Sequence, residues 1–327
     1  MKSNSVVWLL ITVLLITFAP AQAQQAAKIP HVGYLAATKA AAIAARTDAF
    51  RQGLRELGYV DGKNIVVEYR YADGNAARER ELAADLVRQK VDIIVTTGPT
   101  VTRTVKYATA TIPIIFAQDG DPVASGFVAS LARPGGNITG LSNLSPELSG
   151  KRLELLKEIV PKLSRVAAIG GSNEPNNAQI LKELGLAAAS MKLRLQTLDV
   201  RGPADIEPAF QAAAKERADG AVFLGSVVFG AHRKQIVELA VKHRLPATYT
   251  RQEFVEEGGL MTYGPNINDL FRRAATYVDK ILKGRKPADL PVEQPIKFEF
   301  IVNLQAAQQI GLTIPPKMLL RADRVIR

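Results

Sequence analysis

The chain repeats itself at an offset of about 130 residues, and this constrains its fold more than any single motif. RQKVDIIVTTGPT, starting at Arg88, lines up with KERADGAVFLGSV, starting at Lys215; in each, a charged helix end leads to an Asp and then an apolar run. TIPIIFAQDGDP from Thr111 lines up with RLPATYTRQEF from Arg244, a proline opening each short strand, and Val32 and Val166 begin corresponding first strands. A repeat of this length is the size of a folded unit. It predicts two similar α/β lobes joined near residue 140.

Within each repeat two kinds of segment alternate. HVGYLA (31 to 36), NIVVEY (64 to 69), VDIIVTTG (91 to 98) and IPIIFAQ (112 to 118) are short β-branched runs, separated by helical patterns such as AFRQGLRELG (49 to 58) and ARERELAADLVRQK (77 to 90). Strands apolar on both faces between amphipathic helices predict a parallel sheet covered on both sides. After ARPGGNITGLS (132 to 142) the pattern resumes with the helix SGKRLELLKEIV (149 to 160) and the strands RVAAIGG (165 to 171), LRLQTLDV (193 to 200), GAVFLGS (220 to 226) and PATYTR (246 to 251).

Beyond this complete second set come GGLMTYGP (258 to 265), a long amphipathic helix (267 to 284), the proline-rich KPADLPVEQP (286 to 295) and the strand KFEFIVN (297 to 303). An extra helix and strand suggest that the chain returns to the first lobe and crosses back. The expected division is an N-terminal lobe of residues 28 to 141 plus about 265 to 295, and a C-terminal lobe of 142 to 264 plus about 296 to 327. Several crossings between lobes make a hinge.

The N-terminus reads as a secretory signal peptide, residues 1 to 23. Lys2 precedes the apolar run of residues 6 to 18, and Ala21-Gln22-Ala23 fits the small-x-small pattern before a cleavage site, near Ala23. Thirteen apolar positions fall short of the roughly 20 needed to span a bilayer. The expectation is a soluble, periplasmic mature protein. With no cysteine, disulfides, thiolate metal sites and a cysteine nucleophile are excluded, so the core alone must stabilise the chain. The net charge of +11 comes without a run of five like charges and mixes with Asp and Glu on predicted helices, which reads as a basic solvated surface and not as a nucleic-acid site.

In open parallel sheets ligands bind outside the carboxyl ends of the strands. With two lobes facing each other those ends share a cleft, and the candidate ligand-binding residues are Tyr34, Thr38, Thr97, Gly98, Thr100, Asp119, Asp121, Asn173, Ser226, Tyr249 and Tyr263. In Thr-Thr-Gly-Pro-Thr (96 to 100), Pro99 suits the first helical position and Gly98 admits a ligand close to the backbone. The free amides of that turn, with the Thr97 and Thr100 hydroxyls, suit a carboxylate or phosphate. The alternative is that Thr97 simply caps the helix.

Asp119 and Asp121 offer a partner for an ammonium, an acid/base pair or helix caps, and Asp121 before Pro122 reads as a cap. Phosphate-loop and dinucleotide signatures, hydrolase motifs and metal-spaced histidines are missing from the sequence. Binding without chemistry, and without cofactor or metal, is the expectation. An exported hydrolase using Asp119 and Asp121 is the competing class, and it needs the two carboxylates facing each other in the cleft.

AFRQGLRELGYVDGKNIVVEYRYADG, LARPGGNITGLS, ELSGKRLELLKEIVPKLSRVA, GGLMTYGPNINDLFRRAATYVDKILKGRKPADLPVEQP and KFEFIVNLQAAQQIGLTIPPKMLLRADRVI together resemble the ABC-transporter substrate-binding protein family, over essentially the whole mature chain. The resemblance implies a type I periplasmic binding protein-like fold: two Rossmann-like lobes, three crossovers and a ligand enclosed by hinge closure. It implies a monomeric receptor, not an enzyme, whose partners are a small-molecule ligand and an ABC permease in the inner membrane. A ligand-sensing module for a membrane receptor is the alternative within the same architecture.

The ligands implied are amino acids, often aromatic ones. Carried over, Thr97, Gly98 and Thr100 take the carboxylate and Asp119 or Asp121 the amine. Tyr34, Phe229, Tyr249 and Tyr263 line the side-chain pocket or, equally, belong to the core. One departure stands out. Where many relatives have Asn-Pro after the first strand of the second lobe, this chain has Gly170-Gly171-Ser172-Asn173-Glu174-Pro175, and Glu174 brings a negative charge to the cleft.

Overall fold

The strand His31–Ala36 (β1) buries every residue after His31, as a strand with helices on both faces must. The computed structural model describes residues 28–327, and the expected signal peptide lies outside them. Around β1 the chain adds Val66–Tyr71 (β2), Ile93–Thr96 (β3), Ile114–Asp119 (β4) and Ile138–Ser142 (β5), with helices Ala44–Glu56 (α1), Ala76–Arg88 (α2) and Pro99–Ala108 (α3) between them. These strands form one parallel sheet in the order β2-β1-β3-β4-β5.

The second half repeats the arrangement. Helix Ser145–Ile159 (α4) leads to Arg165–Gly170 (β6), Asn177–Ser190 (α5), Arg194–Asp199 (β7), Ile206–Lys215 (α6), Gly220–Phe223 (β8), Val227–Ala231 (α7), Arg233–Lys242 (α8), Ala247–Tyr249 (β9), Gln252–Glu256 (α9) and Met261–Gly264 (β10). The order β7-β6-β8-β9-β10 reproduces that of the first sheet. Two further strands extend it: Glu299–Asn303 (β11), antiparallel to β10, and Arg324–Ile326 (β12), parallel to β11.

Helix Ile267–Leu282 (α10) belongs by packing to the first lobe. Ile267, Leu270, Phe271, Ala274 and Val278 share one core cluster with Val32, Tyr34 and Phe50. At Gly53 on α1 a Cβ would lie 2.1 Å from the Arg272 carbonyl oxygen, so the two helix backbones meet where only glycine leaves room. The proline-rich stretch stays on this lobe: Thr139 donates to the Leu290 carbonyl at 2.7 Å and the Val292 N–H to Leu131. The chain thus passes between the sheets three times, after β5, after β10 and between Glu293 and β11.

Besides β10, which lies in the GGLMTYGP set apart from the second group of strands, two strands run through segments in which the sequence pattern shows none. β5 is the ITGLS of the segment read as a separator; it is wholly buried, but Thr, Gly and Ser give almost no apolar signal. Gly140 within it sits at φ +153, and a Cβ there would meet the Phe116 carbonyl at 2.0 Å. The other, β12, is three residues long and its first is exposed.

Candidate functional site

The carboxyl ends of both sheets converge on a cavity of about 130 Å³, walled by both lobes. The first lobe contributes the start of α3. Gly98 caps this helix without any side-chain cap, so the Thr97 hydroxyl does not play that part. Gln118 fixes the turn from beside it, donating through Nε2 to the Thr97 carbonyl at 3.0 Å. Behind it the Thr102 hydroxyl donates to the Gly98 carbonyl at 2.9 Å and lies 2.7 Å from the Thr96 hydroxyl.

The second lobe places a carboxylate against that helix end. Glu174 accepts from the Thr100 hydroxyl at 3.3 Å through one oxygen and from the Val227 N–H, at the start of α7, at 2.8 Å through the other. One carboxylate therefore bridges the first turns of two helices on opposite sides of the cleft. Ser226 caps α7, its hydroxyl accepting from the Val228 N–H at 3.1 Å.

Among the described residues three guanidinium groups line the cavity: Arg46, Arg152 and Arg251. Arg46, 2% exposed on α1, pairs across the cleft with Glu253 on α9, its Nε donating at 3.1 Å. Burial works to raise the Glu253 carboxyl, but Arg46 and Arg251 outweigh it and hold it down at about 2. Arg251 follows β9 and donates to the Ser226 carbonyl at 3.0 Å; a Cβ on Gly230 would lie 3.0 Å from its Nη2. Burial, with Arg46 nearby, lowers it to about 10.

Arg152, on α4, differs from these two. It is 2% exposed, donates through Nε to the Tyr263 carbonyl at 2.7 Å and through Nη1 to the Ser145 carbonyl at 3.4 Å. Among the described residues no carboxylate lies within ion-pair distance of it. Burial lowers it to about 10.

Of the residues singled out in the sequence, Thr38, Thr97, Gly98, Thr100 and Ser226 line the cavity. Tyr34 lies in the core of the first lobe, its hydroxyl 3.3 Å from that of Thr47. Tyr249 stacks between Phe223 and Phe254, at 5.1 and 4.8 Å between ring centres, and Phe229 packs edge-on against Phe223. Tyr263 turns its ring to Phe298 and gives only its carbonyl to Arg152. Asn173 stands beside Gly171, one residue short of Glu174, outside the lining. Among the described residues no aromatic side chain lines the cavity.

Asp119 and Asp121 also lie outside the lining. Asp121 accepts the Ala124 N–H at 2.9 Å and closes a turn. Asp119 is fully buried beneath the cleft, one oxygen accepting from the Asn176 amide at 3.4 Å with the Ser125 hydroxyl also 3.4 Å away, the other without a side-chain hydrogen bond among the described residues. Burial pushes its carboxyl up to about 7.

The sequence reading passed over the arginines because a charge inside a helical pattern normally marks the solvent face. A signal was available. Arg46 stands four residues before Phe50 and eight before Leu54, at the head of a buried apolar stripe, and Arg152 midway between Leu148 and Leu156, where it interrupts one.

Several of these bonds join the lobes. Besides Arg46 to Glu253 and Thr100 to Glu174, Ser125 donates to Asn176 at 2.8 Å and Arg233 to the Ala42 carbonyl at 3.3 Å. The cleft is closed.

Known proteins share this architecture over nearly the whole chain. A family model described as ABC transporter substrate binding protein matches residues 32–326. A tyrosine-binding protein of Clostridioides difficile is 26% identical over 255 residues, covering 78% of this chain and 73% of that protein. Among solved structures, a conserved domain protein from Vibrio cholerae is 30% identical with a TM-score of 0.86, covering 91% of this chain and 100% of its own. The ABC domain from Streptococcus pneumonia in complex with L-Trp is 25% identical with a TM-score of 0.85, covering 91% and 99%. The fold is that of type I periplasmic binding proteins. With the family model spanning the chain from its first strand to its last, this protein belongs to the ABC transporter substrate-binding proteins.

Proposed function

We propose that this protein captures an amino acid outside the cytoplasm by closing its two lobes around it, and presents it as a monomer to the permease of an ABC importer. In this reading the N-terminal leader is removed near Ala23 and the mature receptor works in the periplasm. The moving bodies are residues 28 to 141 with about 265 to 295, and 142 to 264 with about 296 to 327. The observation that carries it is the closed interlobe cavity with charges of both signs on its wall, Arg152 and Glu174 among them. A zwitterion with a short apolar body complements such a wall, and Ile43, Ile180 and Ile267 supply the apolar surface.

Size agrees. At about 10–15 Å³ for each water-sized group, the cavity admits on the order of ten such groups, the scale of an amino acid. The tyrosine-binding relative and the L-Trp complex of another support an amino acid, an aromatic one included. Any aromatic ring would here lie on aliphatic side chains and not on other rings. The test is a thermal-shift screen of the twenty amino acids with simple carboxylates and nucleosides. A cognate ligand at 100 times its Kd adds about 2.7 kcal/mol of stability. A folded protein whose melting temperature none of them raises would end this reading.

A further inference from the structure

Resting on that reading, we propose that the ligand's carboxylate is held by Arg152 of the second lobe, and that the first turn of α3, which the sequence marks as the anion site, is closed to it by Glu174.

Two balances of charge lead there. At the α3 end the Thr100 hydroxyl, which would receive a ligand carboxylate, already donates to Glu174, and the other Glu174 oxygen holds the Val227 N–H. A second carboxylate placed there would face the first across a cleft from which closure expels water, where like charges repel most strongly. Around Arg46 the charges cancel. Arg46 pairs with Glu253 and Arg233 with Glu257, while Arg251 lies within the fields of Arg46, Arg233, Glu253 and Glu174, giving three cations and three anions. Arg152 stands outside this balance. It lines the cavity, it is buried, and it spends two nitrogens on neutral carbonyls and none on a carboxylate among the described residues. Its remaining nitrogen, Nη2, is free of hydrogen bonds to the described residues; a Cβ on neighbouring Gly264 would stand 3.2 Å from it.

A buried cation without an anion is costly to the protein, and an anion that arrives with the ligand relieves the cost only in the bound state. Arginine also offers the donor geometry that a carboxylate matches. Glu174, with its two acceptor bonds, remains as the group a ligand ammonium would meet.

The experiment compares each of the twenty L-amino acids with its carboxamide, on the wild type and on Arg152→Met, Arg152→Lys and Glu174→Gln, by thermal shift and calorimetry. Wild type should prefer the acid to the amide by on the order of 30-fold or more. Arg152→Met should abolish that preference, and Arg152→Lys should reduce it while keeping the fold; if Arg152→Met does not fold, the lysine variant decides. Glu174→Gln should keep the preference. A structural role for Arg152 would weaken acid and amide alike, and that result overturns the assignment, as does an unchanged preference in a folded Arg152 variant. Should no amino acid bind, the amino-acid reading fails by itself. Acetate, succinate and benzoate then decide the assignment: shifts in wild type that vanish in the Arg152 variant sustain it, and no shift with any carboxylate ends it.

Discussion

Asp119 carries a cost that depends on pH. Its carboxyl is buried with one oxygen left without a side-chain hydrogen bond among the described residues, and burial raises it from 3.8 to about 7. A group raised in this way stabilises the fold while it is protonated in both states, and the contribution is lost as pH rises from the unfolded value through the folded one. Between about pH 4 and 7 the protein should lose on the order of 3 to 4 kcal/mol from this residue. Asp119→Asn is expected to melt above wild type at pH 8 and to match it near pH 3.5, as followed by circular dichroism. Glu253 has the opposite sign. Held at about 2, it contributes above its unfolded value near 4.5 and is lost as pH falls towards 2. Glu253→Gln leaves Arg46 buried without its anion, which should cost about 3–5 kcal/mol where the closed form is populated. A variant as stable as wild type at pH 7 would show that the pair is not formed in solution. At this scale the strand-end rule read from the sequence reaches Thr38, Thr97, Gly98, Thr100 and Ser226 on the wall. It could not separate them from tyrosines at the same strand ends, because alternation along a strand decides only which face a side chain takes, and here both faces are covered.

At the scale of elements, the crossing of α1 and α10 is a tight joint between distant parts of the chain. Gly53 sets it, with the Arg272 carbonyl where a methyl would have to go. Gly53→Ala should force the helices apart and destabilise the protein by about 1–3 kcal/mol, despite alanine's better helix propensity. A rise in melting temperature would mean that the helices sit further apart than the structure has them. Most elements announce themselves, since β1, β3, β4, β6 and β8 are continuous apolar runs between amphipathic helices. β5 does not. Its burial comes from small residues whose packing partner, the Phe116 backbone, is more than 20 positions away, and local pattern carries no trace of such a contact. The start of α3 is legible in Gly98-Pro99, and its cap is left open because Gly98 has no side chain to fill it.

At the scale of the molecule, the duplicated order of strands follows from the duplicated sequence, and the additional helix and strand reveal that the chain goes back. What the sequence could not supply is how the faces meet, since Arg46 and Glu253 are 207 positions apart and nothing local couples them. Closure itself should be measurable. Saturating a ligand found in the screen should reduce the radius of gyration in solution scattering or, if the free protein is already closed, leave it unchanged while slowing hydrogen exchange around residues 97 to 101 and 225 to 227. An increase in radius would contradict closure.

The triple passage between lobes has a further consequence for the birth of the molecule. The core of the first lobe includes Ile267 through Val278, and its edge is tied down by residues near 290. No stretch of nascent chain shorter than about nine-tenths of the whole contains a finished lobe, so neither half can complete its folding while the rest is still being made. A chain ending at Pro265 should therefore stay without a cooperative melting transition although it contains every strand of the first sheet. In the proposed reading, in which the chain is threaded through a membrane before it works, late completion is a benefit: the same three passages that would let the lobes hinge would also keep the chain transportable.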